Sequence, residues 1–232
     1  MQLRILSAGA AQGVINALAD SFRAETGCEI AGTFGAVGAM KEKLLSGEPA
    51  DVIVLTCAQI AELSAAGQLV SGTHADLGTV RTGVAVRSAD AAPDIADAKG
   101  LRDALLGAQA IFFPDPQRAT AGIHFAKVLR MLGIAEEVAP RLQAYPNGAA
   151  AMREMAGSSG VRLVGVTQIT EINNTAGVKL AGPLPQEFEL ATIYSAGVCT
   201  GAKAPDAARR FVALLCGETS QSARNKAGFE LL

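Results

Sequence analysis

The chain has 232 residues, of which 50% are hydrophobic and 18% are charged, and its formal net charge is −2. This apolar content excludes a disordered chain and predicts a compact soluble globule, either one domain or two lobes of roughly 100 residues each. The balance of 20 basic and 22 acidic residues leaves no basic face that could follow phosphates. Nucleic acid is therefore not expected as a partner.

Histidine and cysteine are too few to build most catalytic or metal centres. The chain has two histidines, His74 and His124, and four cysteines, with no Cys-x-x-Cys pair. A zinc site or a Ser-His-Asp triad would need nearly all of these residues. We therefore expect no metal and no cofactor. Scattered single cysteines predict small buried residues in a reducing compartment, without disulfides.

The chain carries no sign of a membrane segment. No apolar run approaches the ~20 residues that a spanning helix needs, and the N-terminal residues enter a strand pattern at once. The sequence thus predicts no membrane insertion and no signal peptide. As written, the protein is expected in the cytoplasm; if a leader has been removed, it is expected in the periplasm.

Strand and helix patterns alternate through the first 70 residues. Predicted strands cover residues 3–6, 29–34 and 51–55, and helices begin at Val14, Ala39 and Ala58. Glycines follow the three helices where C-terminal caps are expected, at positions 27, 47 and 67. Three such alternations predict an α/β fold with a largely parallel sheet.

The alternation breaks after residue 82 and then starts again. A lone strand at 82–87 precedes a polar stretch, and strands at 110–113 and 162–167 are each followed by a helical pattern. A long strand at 190–198 and two helices, at 204–215 and 220–227, are expected to return to the first lobe. The sequence therefore predicts two lobes, one of residues 1–82 plus 192–232 and one of residues 83–191.

Four loops of small residues join a strand end to a helix N-terminus, at residues 7–13, 35–38, 115–122 and 147–149. Each would present backbone N–H groups and the positive end of a helix dipole at the carboxyl edge of a sheet, which suits an anion. Glycine-rich corners also occur in α/β proteins without a ligand, and loop 7–13 has neither the lysine nor the glycine spacing of nucleotide-binding motifs. The pattern predicts a cleft that closes on a small anion.

Three segments resemble a known family: Gly47-Glu-Pro-Ala-Asp-Val-Ile-Val54, Asp115-Pro-Gln-Arg-Ala-Thr-Ala-Gly122, and Gly165-Val-Thr-Gln-Ile-Thr followed by Gly177-Val-Lys. With the order of elements, they look like the type II periplasmic binding proteins of the molybdate-binding family, over essentially the whole chain. The resemblance implies two α/β lobes with a ligand cleft between them. It also implies a monomer that delivers a small anion to an ABC-transporter permease.

The expected ligand residues depart from that family's pattern. Ala10 stands where the family has a serine, although Ser7 lies three residues earlier, and Gln168 stands where a tyrosine is expected. The loop 35–38 has no hydroxyl, so the resemblance favours an organic acid over molybdate. Only Ala121, a backbone donor, matches directly. The ligand-binding candidates are Ser7, Gly9, Ala10, Gly35, Ala36, Val37, Arg118, Thr120, Ala121, Asn147, Thr167 and Gln168.

A second function stays open, because the chain also resembles a divergent branch of that family. The segments 167–173, 180–186 and 192–197 carry this resemblance. The branch includes proteins resembling aconitate isomerase, which moves a double bond in a tricarboxylic acid by proton transfer without a cofactor. The candidate bases for such a reaction are Asp115, Glu171 and Tyr194.

Several candidates have a structural alternative. Arg118 could clamp a carboxylate or lie in solvent, and Thr120 is expected to cap a helix rather than bind a ligand. Asp115, next to two prolines, is typical of a fixed turn. Thr167 and Gln168 could face a ligand or start a helix. We expect His124 to serve packing or the surface, and His74 to lie in an exposed loop.

Overall fold

The computed structural model describes all 232 residues. The chain divides into two compact units, one of Met1–Val80 with Thr192–Leu232 and one of Arg81–Ala191. They are called unit 1 and unit 2 below. Strands and helices alternate in both, which confirms the predicted α/β class.

Unit 1 has a sheet in which β1 lies between β2 and β3, parallel to both, while β9 runs antiparallel to β3. The first half of a long strand, β4, also belongs to this unit. Its elements are β1 (Gln2–Ala8), α1 (Gln12–Thr26), β2 (Glu29–Gly35), α2 (Val37–Leu45), β3 (Val52–Thr56), α3 (Cys57–Ala65), β4 (Ala75–Arg87), β9 (Ala191–Val198), α9 (Pro205–Cys216) and α10 (Gln221–Ala227).

Unit 2 has a sheet in which β5 lies between β6 and β7, parallel to both. The second half of β4 runs antiparallel to β7 and to β8. Its other elements are α4 (Ala98–Gly107), β5 (Ala110–Pro114), α5 (Thr120–Met131), α6 (Ala135–Val138), β6 (Leu142–Tyr145), α7 (Gly148–Gly157), β7 (Leu163–Gln168), α8 (Ile169–Asn173) and β8 (Val178–Pro183).

The helices form where the apolar residues recur at helical spacing. In α1, Val14, Ile15, Leu18 and Phe22 are buried in the unit 1 core, where the Phe22 ring packs edge-on against another phenylalanine of that core. The helix ends at Gly27, whose φ of 67° is the left-handed conformation that glycine adopts most easily. This predicted cap is therefore confirmed.

Three elements differ from the sequence prediction. The strand predicted at 82–87 begins seven residues earlier, at Ala75, because polar residues such as Asp76 alternate with buried ones along its first half. Strands β6 and β8 were not predicted. Both are short and contain half-buried residues, so they lack the continuous apolar run that identifies β5.

A buried aspartate, Asp51, holds the segment that leads into α9 in unit 1. Its Oδ1 atom accepts hydrogen bonds from the backbone amides of Lys203 (2.6 Å) and Ala204 (3.1 Å). Its Oδ2 atom accepts from the Arg4 amide at 2.8 Å and from the Arg4 guanidinium at 3.3 Å. These donors hold the pKa of the Asp51 carboxyl below its ordinary value, against the effect of burial. A charged carboxylate thus ties β1 and the start of β3 to the two residues that precede a distant helix.

The four cysteines are unpaired. Burial raises the pKa of Cys199 and Cys216 to about 12, so both remain protonated thiols near neutral pH. Cys57 differs from the expectation of buried cysteines, because it is exposed as the first residue of α3. No helix is both long and apolar enough to cross a membrane.

Candidate functional site

In unit 2, three helices begin at one edge of the sheet. The parallel strands β5, β6 and β7 end at this edge, at Pro114, Tyr145 and Gln168, and lead into α5, α7 and α8. Thr82 of β4 is the direct cross-strand partner of Gln168. The edge therefore collects three of the predicted ligand segments, together with Thr82, on one border of the sheet.

The N-terminus of α7 is closed by two side chains of the protein. Asn147 Oδ1 accepts from the Ala150 amide at 2.9 Å, so Asn147 acts as the N-cap. The buried Glu171 carboxylate accepts from the backbone amides of Gly148, Ala149 and Gln168. Thr167 Oγ1 donates to Glu171 Oε2 at 2.6 Å.

This arrangement corrects the prediction that the loop at 147–149 is free to take an anion. The anion at this helix N-terminus is the Glu171 carboxylate. A methyl group on Gly148 would come within 1.9 Å of Thr167 Oγ1 and 2.0 Å of Glu171 Oε2, so only glycine fits there. The Thr167 hydroxyl and the Asn147 side-chain oxygen are therefore already hydrogen-bonded within the protein.

Burial raises the pKa of Glu171, while the hydroxyl and amide donors lower it less. No cation is among its hydrogen-bond partners, so only these neutral donors offset part of the cost of burying its charge. The pKa of Glu171 therefore lies above its ordinary value, towards neutrality.

The loop before α5 is built on an aspartate turn. Asp115 Oδ1 accepts from the amides of Gln117 (2.7 Å) and Arg118 (3.2 Å), the fixed turn expected from the sequence. The N-cap of α5 is Ala119, and no side chain caps this helix. The expectation that Thr120 caps it was wrong, because Thr120 is already the first helical residue. Arg118 is exposed on this loop.

The first turn of α5 packs closely on the end of β5. A methyl group on Gly122 would lie 2.2 Å from the Pro114 carbonyl oxygen and 2.3 Å from that of Asp115. Glycine at this position lets the helix begin directly at the strand end, with Ala121 buried beside it. The backbone donors of this helix N-terminus are therefore held rigidly at the sheet edge.

Three buried polar side chains at the same edge have no hydrogen-bond partner in the protein. They are Gln168, whose amide nitrogen and amide oxygen are both unpaired, and the hydroxyls of Thr82 and Thr170. Their exposed fractions are 3%, 1% and 2%. Buried polar groups of this kind are rare and need an explanation such as a ligand. Gln168 is also the N-cap residue of α8, but its side chain does not cap that helix.

The corresponding edge of unit 1 is poor in side-chain donors. Ser7 is fully buried and donates to the Ala8 carbonyl at 2.9 Å. The helices α1 and α2 begin after Ala11 and Ala36 without a side-chain cap, whereas Thr56 caps α3 by accepting from the Gln59 amide. The predicted residues Gly9, Ala10, Gly35 and Val37 lie in these turns. These residues can therefore offer a ligand backbone hydrogen bonds and apolar contacts.

The remaining candidates lie elsewhere. Tyr194, named as a third base, is buried in the unit 1 core, where its ring packs edge-on against Phe229. His124 Nε2 lies 2.7 Å from the Phe188 carbonyl oxygen, which is a packing role, and His74 is exposed. No group of three His, Cys, Asp or Glu residues is arranged to hold a metal ion.

Sequence reasoning missed the polar roles of Thr82, Thr170 and Asp51. A signal was present for Asp51, since a charged residue directly before a fully buried strand must find partners. Thr82 and Thr170 gave no comparable signal. Threonine is common in strands and at helix starts, and only the packing shows that these hydroxyls are unpaired.

The fold matches solved binding proteins closely. The periplasmic molybdate-binding protein of Azotobacter vinelandii superimposes with a TM-score of 0.81 at 20% identity, covering 99% of both chains. The sulfate-binding protein SubI of Mycobacterium tuberculosis H37Rv gives 0.78 at 16% identity, over 100% of this chain and 87% of that one. The architecture is therefore that of the type II periplasmic binding proteins.

Comparison of the sequence with family models identifies the family of the chain. The model of the bacterial extracellular solute-binding proteins matches residues 3–230, so the chain belongs to this family. A curated relative, an aconitate isomerase from a Pseudomonas species, is 26% identical over 237 residues, covering 98% of this chain and 87% of the relative. The resemblance to molybdate-binding proteins and to their isomerase-like branch is thereby confirmed.

Proposed function

We propose that the protein is a solute-binding protein of the ABC-transporter type whose ligand is a small anion, an organic acid in preference to molybdate. The observation that carries this proposal is the set of uncapped helix N-termini at the predicted anion loops. Side chains close α3, α4 and α7, through Thr56, Asp97, and Asn147 with Glu171. The helices α1, α2 and α5 start at predicted anion loops and have no side-chain cap. Backbone donors at such helix starts suit an anionic group.

The composition of the unit 2 edge supports an organic acid. Its unpaired groups are one amide and two hydroxyls, and Arg118 is exposed on the neighbouring loop. A guanidinium can bind a carboxylate through two parallel hydrogen bonds. The family membership and the sulfate- and molybdate-binding structural neighbours support the anionic class of the ligand.

Titration calorimetry with sulfate, molybdate and a set of di- and tricarboxylic acids tests this proposal. We expect a carboxylic acid to bind, and Arg118→Ala to weaken it at least about tenfold, the scale of one charge-assisted hydrogen bond. Arg130→Ala is the matched control, because Arg130 is an exposed arginine at the other end of α5. Unchanged affinity in Arg118→Ala would remove Arg118 from the ligand set, and binding of none of these anions would refute the proposal.

A second candidate function is a cofactor-independent isomerase of an unsaturated carboxylic acid. It is supported by the aconitate isomerase that aligns along 98% of this chain and by the raised pKa of Glu171. A carboxyl group with a pKa nearer neutrality can accept and return a proton. Proton NMR of cis- and trans-aconitate mixed with the protein tests this function directly. Double-bond migration that is lost in Glu171→Gln would favour the isomerase, and unreactive acids that nevertheless bind would exclude it.

A further inference from the structure

The three unpaired side chains of the unit 2 edge restrict the chemistry of its ligand. We propose that the ligand carries a hydrogen-bond donor next to its anionic group, as a hydroxy acid does, and that Gln168 accepts from this donor. This inference rests on the small-anion function proposed above and specifies its substrate class.

The argument starts from the two ends of the Gln168 amide. The nitrogen can only donate hydrogen bonds and the carbonyl oxygen can only accept them. Both atoms are buried and unpaired. Exchanging the two atoms by rotating the amide would leave the same requirement, one donor and one acceptor. The ligand must therefore both accept and donate hydrogen bonds at this residue.

The neighbouring groups do not provide the missing donor. Thr82 lies directly across from Gln168, yet its hydroxyl has no partner, and the same is true of Thr170, two residues after Gln168. The backbone groups of Gln168 and Thr82 are used elsewhere: the backbone amide of Gln168 donates to Glu171, the Thr82 amide donates to the Leu190 carbonyl, and the Thr82 carbonyl accepts from the Leu184 amide. A donor for the Gln168 oxygen must come from outside the protein.

A fully deprotonated oxyanion cannot meet this requirement, since all of its oxygens are acceptors. It could take hydrogen bonds from the Gln168 nitrogen and from the two threonine hydroxyls, but it would bury the amide oxygen unpaired. Leaving a buried acceptor unpaired is costly, and sites built for a ligand hydroxyl reject analogues that lack it. A hydroxy acid satisfies both ends of the amide at once.

Calorimetry with two matched pairs of acids tests the inference. L-Malate differs from succinate by one hydroxyl group, and citrate differs from tricarballylate in the same way. We expect the hydroxylated member of at least one pair to bind at least about tenfold more tightly, the value of one buried hydrogen bond. Equal or tighter binding of the hydroxyl-free acids in both pairs would overturn the inference and leave the small-anion function intact.

The variant Gln168→Met keeps the length of the side chain and removes both polar ends. We expect the preference within the pair to fall below about threefold, because the hydroxy acid loses both hydrogen bonds of the amide whereas the hydroxyl-free acid loses only the one from the amide nitrogen. Gln221→Met, at an exposed position in unit 1, should keep the preference. An unchanged preference in Gln168→Met would show that another group recognises the hydroxyl. If that variant does not fold, Thr82→Val and Thr170→Val should each weaken the malate or citrate complex.

The same titrations separate this inference from the function on which it rests. If sulfate or molybdate binds but none of the four acids does, the inference is overturned and the small-anion function stands. If none of the six compounds binds, both proposals fail.

Discussion

Each of the two units buries one carboxylate, and the pKa is lowered in one and raised in the other. Asp51 of unit 1 accepts from three backbone amides and from the Arg4 guanidinium, and its pKa is lowered. Glu171 of unit 2 accepts from three amides and one hydroxyl without a cation, and its pKa is raised. Backbone amides are donors in both cases, those at the start of α7 for Glu171 and those of the two residues before α9 for Asp51. Burial outweighs the donors at Glu171, whereas at Asp51 the Arg4 amide, the Arg4 guanidinium and the amides of Lys203 and Ala204 together outweigh burial.

The Glu171 carboxylate also bears on which helix starts remain for a ligand. It comes from a distant part of the chain and closes the N-terminus of α7. Anion affinity at this helix start is thus satisfied inside the protein. The starts of α1, α2 and α5 have no such side chain.

The largest effect on stability is expected from Asp51→Asn. An amide can accept at only one of its two ends, so the variant loses about half of the hydrogen bonds and the attraction to Arg4. We expect the free energy of unfolding to fall by about 3 kcal/mol, in the range for breaking a buried charged network. Urea denaturation followed by circular dichroism measures it. Asp206→Asn, at an exposed aspartate that pairs with Arg209, should change it by less than about 0.5 kcal/mol. Equal effects of the two variants would show that Asp51 is not a structural anchor.

A smaller loss of stability is expected from Gly148→Ala, which tests the hydrogen bonds between Glu171 and the start of α7. The added methyl group would overlap with Thr167 Oγ1 and Glu171 Oε2, so the carboxylate must leave the α7 amides. We expect a loss of about 2 kcal/mol in the free energy of unfolding, as for an overpacked polar site.

Gly157→Ala provides the matched control for this substitution. Gly157 ends the same helix, and a methyl group there would meet nothing within 4 Å. Alanine at this position should leave stability unchanged or raise it slightly. If both alanine variants have the same thermal midpoint, Glu171 does not hold the start of α7.

The smallest effect is a difference in pH dependence between the two carboxylates. The pKa of Asp51 is lowered in the folded protein, so its contribution is present above its ordinary value of 3.8 and is lost as the pH falls through the folded value. The pKa of Glu171 is raised, so its contribution is full below its ordinary value of 4.5 and is lost as the pH rises through the folded value.

Chemical denaturation between pH 7 and pH 3 measures this difference. The stability advantage of the wild type over Asp51→Asn should shrink as the pH falls below about 3.8. Its advantage over Glu171→Gln should grow as the pH falls from 7 towards 4.5. Parallel pH profiles for the two variants would contradict the assignment of opposite pKa shifts.

The sequence by itself determined the α/β class and most helix and strand positions, because buried strands, helical spacing and glycine caps are local features. Gly27 ends α1 as predicted, and the turn at Asp115 followed from its own neighbours. Only the tertiary structure decided which loop already holds an anion. Glu171 meets the amides of Gly148 and Ala149, 22 and more residues earlier in the chain, and Asp51 meets Ala204 across 153 positions. Such hydrogen bonds depend on packing between distant segments, as do the unpaired polar groups of Thr82 and Gln168, and no local pattern encodes them.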